Sequence, residues 1–417
     1  MHILKIVPLL LLLVSGTARA QQDTLNINLQ QADSIYLINN FYLLAASMNV
    51  EASKAQVIQA KLYPNPVFTA EINAYDPENK KVLHVGRSGQ KLVQIEQLLL
   101  LGGKKKAETN IAKTNAKIVE LEFEQLARQL KFRLHKDLFT IGQQQLLLAR
   151  YDSQLALLNT LLTAYQVQAD KGNVPLKDVV RLKGAYMKLN NDRAALLKDF
   201  FEAQSSLQAL LQTSSIVHFL FSEEAIEKYI KLKSLKEIKE AALQYQPDVL
   251  IMQHNKILAE QNFHYQKRLG IPDINLFSSY DQRSGAFNNQ VNAGISIPLP
   301  LWNKNQGNIR SSQLQIQEAE YNVMALQNAI AADVQNAYLV YTETIAEYRK
   351  AHTLYNEDFE ITVKGMTDNF QKRNVSIIEF IDFFEAYNDV LTELSRIKTQ
   401  LVISGEQLNL LIGKDIF

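Results

Sequence analysis

The sequence predicts a mostly α-helical chain that carries a membrane β-barrel element, each protomer being an internal tandem repeat with four strands. Three observations predict it. Two copies of one helix–strand–strand–helix plan can be laid over each other. Four short segments alternate apolar and polar residues. The stretches between them lack proline and are rich in Leu, Ala, Gln, Glu and Lys, which are strong helix formers.

The duplication is read from matched residues. Leu44 and Asn49 fall on Leu250 and Asn255, and Pro66 on Pro272, all 206 apart. Ile95, Leu101 and Lys104 fall on Ile295, Leu301 and Lys304 at a spacing of 200. Asn173-Val174 falls on Asn374-Val375, Ala185-Tyr186 on Ala386-Tyr387 and Leu207 on Leu408, 201 apart. The first repeat runs over about 24–212, a junction over about 213–237 and the second repeat over about 238–417. Such a unit is too long for a solenoid repeat. Each copy therefore reads as half of a barrel-forming protomer.

Residues 1–20 read as a cleavable export signal. His2 and Lys5 precede an apolar run from Ile6 to Val14, and Ala18-Arg19-Ala20 supplies the small-residue cleavage site. Residues 21–417 would form the mature protomer. Beyond residue 20 no stretch offers the roughly 20 apolar residues a membrane helix needs. The absence of cysteine excludes disulfides, thiolate metal sites and a lipidated N-terminal cysteine. A net charge of +1 predicts no general affinity for nucleic acid.

Period-two alternation means strand. The four segments are expected at about 66–75, 83–99, 273–283 and 289–301. In the first, Phe68, Ala70, Ile72 and Ala74 oppose Thr69, Glu71 and Asn73. In the last, Val291, Ala293, Ile295, Ile297 and Leu299 oppose Asn292, Gly294 and Ser296. Val93 and Ile95 repeat the pattern more weakly, and Phe277 is a misfit on the polar side of the third segment. One apolar and one polar face over about ten residues fits a lipid-facing barrel strand. A half-buried soluble hairpin fits each segment taken alone.

Helix lengths test the plan. Lys104 to about Asp170 spans roughly 100 Å at 1.5 Å per residue. After a turn at Lys171–Pro175, the chain returns through Leu176 to about Gln212 and through about Ile238–Leu269. The second repeat goes out over Lys304 to about Gln371 and back over Ile377–Leu411, its missing upper piece supplied by about Leu29–Leu62. Outward and return legs match in length. Four strands leave two open sheet edges, which lipid forbids, so closure needs symmetric copies.

In this order and spacing the elements resemble the TolC family of outer-membrane factors. The resemblance covers essentially the whole mature chain. It rests on the repeat, on Ile297-Pro298-Leu299-Pro300-Leu301-Trp302, and on the second tip from Phe370 through Arg373 and Ser376 to Glu379 and Asp382. That tip is similar to the family's aromatic-x-x-Gly-x-x-Ser/Thr turn before a helix with two acidic residues three apart. Arg373 stands where the family usually has Gly. The first tip keeps Gly172 but has Ala169 in place of the aromatic, and Val375 replaces an Arg that locks the tunnel in some members. The resemblance implies a homotrimer with a twelve-stranded outer-membrane β-barrel continued by a long periplasmic α-helical barrel. It further implies a passive exit duct in a Gram-negative outer membrane. The expected partners are a periplasmic adaptor (membrane-fusion) protein, an inner-membrane transporter and outer-membrane lipid.

Glu379 and Asp382, spaced i,i+3, put two carboxylates on one helix face. In a threefold assembly they would form acidic rings at the periplasmic aperture that favour cations; a solvated acidic face is the plain alternative. Ile377, Phe380, Phe383, Ala386 and Tyr387 read as the packing stripe. Asp178, with Arg181 a turn on, is the first-repeat counterpart of Glu379 and reads as aperture lining or a surface ion pair. By the resemblance, the tips Lys171, Gly172, Asn173, Val174 and Pro175, and Lys372, Arg373, Asn374, Val375 and Ser376, would meet the adaptor. Lys104-Lys105-Lys106 fits a lipid-head-group rim or a solvated helix start. Trp302 fits a membrane-interface belt or a packed joint.

Catalysis finds no support. The seven histidines show no metal-ligand spacing, and neither Gly-x-Ser-x-Gly nor a phosphate-binding loop occurs. No cofactor is expected. The rival to a duct is a soluble periplasmic coiled-coil adaptor or spacer.

Overall fold

The computed structural model describes residues 23–283, 286–355 and 357–417. The expected signal at residues 1–20 lies outside them. Asn28 opens the chain's first helix through a reciprocal capping box with Gln31, its side chain accepting from the Gln31 N–H at 2.9 Å. Before it comes β1 (Thr24–Ile27), and after it α1 (Leu29–Asn39), α2 (Phe41–Gln59), β2 (Val67–Ile72), β3 (Tyr75–Asp76), β4 (Lys81–Val82) and β5 (Lys91–Leu99). The first hairpin is α3 (Lys104–Asp170) and α4 (Leu176–Leu211). The junction holds β6 (Ile216–Phe219), the short α5 (Glu224–Glu227) and a 3₁₀ turn at Lys228–Ile230. The second repeat is α6 (Leu235–Tyr245), α7 (Pro247–Leu269), β7 (Ile274–Arg283), β8 (Phe287–Ser296), α8 (Gln306–Leu354), α9 (Glu357–Gln371) and α10 (Ile377–Ile412).

The two repeats match down to their caps. Asn28 and Ser234 start α1 and α6, and Asn40 and Gln246 break the chain before α2 and α7, each pair 206 apart. Both breaks are extended backbone, φ −67° and ψ 115° at Asn40 and φ −67° and ψ 123° at Gln246. Long unbroken helices were expected over Leu29–Leu62 and Ile238–Leu269. Pro247 forbids helical geometry at Gln246. Asn40 reaches the same end by capping the Tyr42 and Leu43 N–H groups while its Nδ2 donates to the Leu210 carbonyl at 3.0 Å.

Four strands form one antiparallel sheet in the order β2-β5-β7-β8. Cross-strand partners share a face, so the register sorts the residues. Phe68–Ile95–Ser278–Ala293 and Ala70–Val93–Tyr280–Val291 are rows of the apolar face. Thr69–Gln94–Ser279–Asn292 is a row of the polar one. The misfit Phe277 lies on the polar face opposite Gly294, where only a hydrogen leaves room for its ring. The outer edges of β2 and β8 have no partner among the described residues of the single chain.

Strand bounds differ from expectation in three places, the first being β2, which stops at Ile72 rather than 75. The span 83–90 is not strand: the Asp76 carboxylate accepts from the Glu78 and Asn79 N–H groups and contacts His84 Nδ1 at 2.7 Å, folding the chain into the β3–β4 hairpin and a following turn. Residues 297–301 extend beyond β8, which stops at Ser296 on the sheet's open edge. The second outward leg is also in two pieces, α8 and α9, breaking at Tyr355 with φ −96° and ψ 92°. Neither proline nor glycine lies at Tyr355, so the usual signals of a kink are missing.

Two of three buried clusters among the described residues lie at the junction and toward the tips. One surrounds the junction, where β1 and β6 pair in parallel and Leu134, Leu138, Phe139, Val217, Tyr229 and Leu401 pack together. The other lies toward the tips, built from Leu158, Leu182, Phe370, Phe380 and Phe384 among others. The β1–β6 pair had no clear signal in the sequence, because each strand is only four residues long.

Candidate functional site: the helical tips and their carboxylates

The two tips are built alike from different residues. In the first, Gly172 takes φ +76°, its N–H donates to the Ala169 carbonyl at 2.9 Å, and the Asn173 N–H reaches back to Gln168 at 2.9 Å. In the second, Arg373 takes φ +65°, its N–H donates to the Phe370 carbonyl at 3.0 Å, and the Asn374 N–H reaches Asn369 at 2.9 Å. Side chains repeat the pattern: Asn173 Nδ2 to Gln168 at 2.8 Å, Asn374 Nδ2 to Asn369 at 3.2 Å. The turn needs a left-handed residue, which glycine adopts freely and arginine adopts at a cost of about 1 kcal/mol. Arg373 thus keeps the backbone that a glycine would give.

Aromatic rings clamp the second tip to the first hairpin. Tyr165 of α3 stacks on Phe370 of α9 at 5.5 Å, Phe370 on Phe380 of α10 at 4.2 Å, and Phe380 on Phe384 at 5.8 Å. Burial raises the pKa of the Tyr165 phenol, the Asp178 carboxylate adds to this and Arg373 opposes it. The three charged or polar tips of Tyr165, Asp178 and Arg373 therefore feel one another across the two repeats.

Glu379 and Asp178 hold the same place, the third residue of the return helix. Glu379 closes a capping box. Its Oε2 accepts from the Ser376 N–H at 2.9 Å and from Ser376 Oγ at 2.7 Å, while its own N–H reaches Ser376 Oγ at 3.3 Å. These bonds favour the ionised carboxylate and lower its pKa. Asp178 has no such partner among the described residues, because Pro175 occupies the cap and has neither an N–H nor a hydroxyl to donate. Asp178 is half-buried, and Arg181 forms no ion pair with it among the described residues. Asp382 lies exposed one turn after Glu379. Lys171, Gly172, Asn173 and Pro175 are exposed, as are Lys372, Arg373, Asn374 and Ser376, whereas Val174 and Val375 are partly covered. The packing stripe of α10 runs through Ile377, Phe380, Phe384, Tyr387 and Asn388 rather than through Phe383 and Ala386. Phe384 continues the 3.6-residue period from Phe380, and Phe383 falls to its side.

Two charged groups proved structural. Lys104, first of the lysine run, is buried, and its Nζ meets the Ile271 carbonyl at 2.6 Å and Asp273 Oδ1 at 2.7 Å, tying one repeat to the other. At the junction, His135 of α3 stands between Asp33 of α1, 2.8 Å from Nε2, and Glu406 of α10, 3.1 Å from Nδ1. The Tyr229 hydroxyl donates to the same Glu406 carboxylate. Burial alone would push the His135 pKa down, but the two carboxylates outweigh it and raise it. Burial would push Glu406 up, and His135 with Tyr229 holds it down instead. Sequence spacing could not reveal this network, since its members lie on elements far apart in the chain.

The chain thus presents four strands with two open sheet edges and two long helical hairpins. The chain matches the pattern of the outer membrane efflux protein family over residues 239–414. It is similar to the cobalt-zinc-cadmium resistance protein CzcC of Cupriavidus metallidurans, 22% identical over 306 residues, covering 72% of this chain and 69% of that protein. Among solved structures, CusC superposes with a TM-score of 0.76 at 16% identity, covering 93% of this chain and 92% of CusC. The outer-membrane channel CmeC of Campylobacter jejuni gives 0.74 at 12% identity, with 92% and 85% covered. The open-state channel MtrE of Neisseria gonorrhoeae gives 0.73 at 15% identity, with 93% and 89% covered. The family pattern covers the second repeat, and the shared fold extends over both.

Proposed function

We propose that this chain is the outer-membrane exit duct of a tripartite efflux or type I secretion system, working as a homotrimer. One observation carries the reading. A four-stranded sheet exposes a continuous apolar face, leaves both edges open, and stands above a hairpin whose longer helix has 67 residues, about 100 Å. Lipid covers such a face, and copies of the chain close such edges. A soluble spacer would have to hide that face from water. The duct is passive: energy comes from an inner-membrane transporter, and a periplasmic adaptor meets the two tips. Glu379, Asp382 and Asp178 line the narrow periplasmic end, where threefold rings of carboxylate favour cations. Divalent metal ions suit those rings as cargo, in keeping with the name of the Cupriavidus relative. Reconstitution tests the reading: the purified mature chain should need detergent for extraction and conduct ions across a planar bilayer. Growth of a deletion strain in Co²⁺, Zn²⁺ or Cd²⁺ tests the cargo.

A further inference from the structure

Resting on the duct reading, we propose that the loop joining β2 to β5 lies on the outer leaflet and binds the phosphate groups of that leaflet's glycolipid through Lys80, Lys81, Arg87 and Lys91.

Topology places the loop. α2 leads into β2 and β5 leads into α3, so residues 73–90 lie at the end of the sheet away from the helices. In a duct that end faces out of the cell. There the sheet's apolar face stops within one row. Ala70–Val93–Tyr280–Val291 is followed by Ile72–Lys91–Gln282, about 7 Å further along the strands. Lys91 Nζ stands 5.9 Å from the centre of the Tyr280 ring, and the Tyr280 hydroxyl donates to Asn289 Oδ1 at 2.6 Å. A tyrosine ring among apolar residues, with its hydroxyl on a polar partner and a lysine beside it, marks the level of lipid head groups.

Gln282 holds the loop at that level, its Nε2 donating to the carbonyls of Gly86 and Arg87 at 2.8 and 2.9 Å. The loop is also tied to itself. Asp76 is satisfied internally by the Glu78 and Asn79 N–H groups and by His84. His84 Nε2 meets Ser88 Oγ at 3.1 Å, and its carbonyl accepts from the Gln90 N–H at 3.0 Å. Gly89 passes so near that carbonyl that a Cβ would lie 2.0 Å from it. A loop fixed in this way loses little freedom when it binds.

What it presents is both cationic and apolar. Lys80, Lys81 and Arg87 are exposed, and neither they nor Lys91 form an ion pair among the described residues. Glu78 is the one exposed carboxylate of residues 73–90. The cross-strand partners Val82 and Tyr75 are 72% and 59% exposed. Leu83 is exposed too, although its backbone is left-handed at φ +50°, a conformation that strains a leucine. Free phosphate would use the charges and leave Tyr75, Val82 and Leu83 in water. A leaflet of phosphorylated lipid uses both, and it adjoins the face that lipid already covers.

Trimers purified in detergent and titrated with lipopolysaccharide, followed by native mass spectrometry, test this contact. Lys80→Ser, Lys81→Ser, Arg87→Ser and Lys91→Ser together should weaken binding by at least about tenfold. Lipopolysaccharide stripped of its phosphates should bind the wild type as weakly as that variant binds the intact lipid. Leu83→Gly, which relaxes the backbone and removes the apolar side chain, should weaken binding several-fold. Lys198→Ser with Lys236→Ser, two exposed helical lysines, should leave it unchanged. Equal binding by the wild type and the fourfold variant, in trimers that still conduct ions, overturns the contact and leaves the duct standing. Displacement of the lipid by millimolar inorganic phosphate, or an equal loss in the helical variant, overturns it as well. A monomer that stays dispersed without detergent overturns both.

Discussion

Phe277 of β7 lies across Gly294 of β8, its cross-strand partner, so closely that a Cβ at 294 would come within 2.5 Å of the ring. A large apolar residue can therefore sit on the sheet's polar face, because its neighbour has given up its side chain. Gly294→Val should lower the temperature at which trimers dissociate, by overpacking worth about 1–3 kcal/mol. Adding Phe277→Ala should recover most of the loss. Heat-dependent migration of the trimer on gels measures both, and failure of the double variant to recover would separate the two residues.

Arg373 holds a left-handed turn that its counterpart Gly172 adopts freely. Arg373→Gly should stabilise the second tip by about 1 kcal/mol, and Gly172→Ala should weaken the first by a similar amount. Amide hydrogen exchange at Asn173 and Asn374, whose N–H groups close the two turns, reads each change locally.

Glu379 both caps α10 and carries charge, and two substitutions separate the roles. Glu379→Gln keeps an oxygen for the Ser376 N–H, so the helix start should persist while cation preference in single-channel recordings falls. Glu379→Ala should lose the cap as well, costing about 1 kcal/mol. Combined with Asp382→Ala, either change should alter conductance and leave the trimer intact. Unaltered conductance would remove both carboxylates from the aperture.

His135 joins three helical elements through Asp33 and Glu406. Its pKa is raised on folding, so its contribution is complete below the ordinary imidazole range and fades as pH rises through the raised value. Glu406 is shifted the other way: its contribution is present above the ordinary carboxylate range and lost as acid protonates it. Thermal stability should therefore be flat between the ordinary carboxylate and imidazole ranges, falling in acid below them and falling again as pH rises through neutrality. His135→Ala leaves two carboxylates without their cation and should cost about 3–5 kcal/mol. An unchanged melting profile from pH 6 upward in the wild type, set against that variant, would deny the network this role.

The long helices and the lipid face were legible because period and composition are local signals. A helix from Lys104 to about Asp170 was expected and α3 spans it, since no proline interrupts it and a glycine-bearing turn follows. The break at Gln246 interrupts a span expected as one helix although Pro247 signals it, whereas its twin at Asn40 depends on a tether to Leu210 from a distant helix. The double role of Glu379 was half visible: Ser-x-x-Glu spells a capping box, and the same carboxylate also read as aperture lining. Lys104 looked like a solvated or lipid-facing charge because its partners, Ile271 and Asp273, lie in the other repeat. Contacts between repeats leave no periodic trace in either one.

The mass of the protein–detergent complex, measured by light scattering on the mature chain extracted from membranes, tests the central claim most directly. Three copies of the polypeptide within a detergent belt are predicted. A single copy that stays dispersed in buffer without detergent would contradict it.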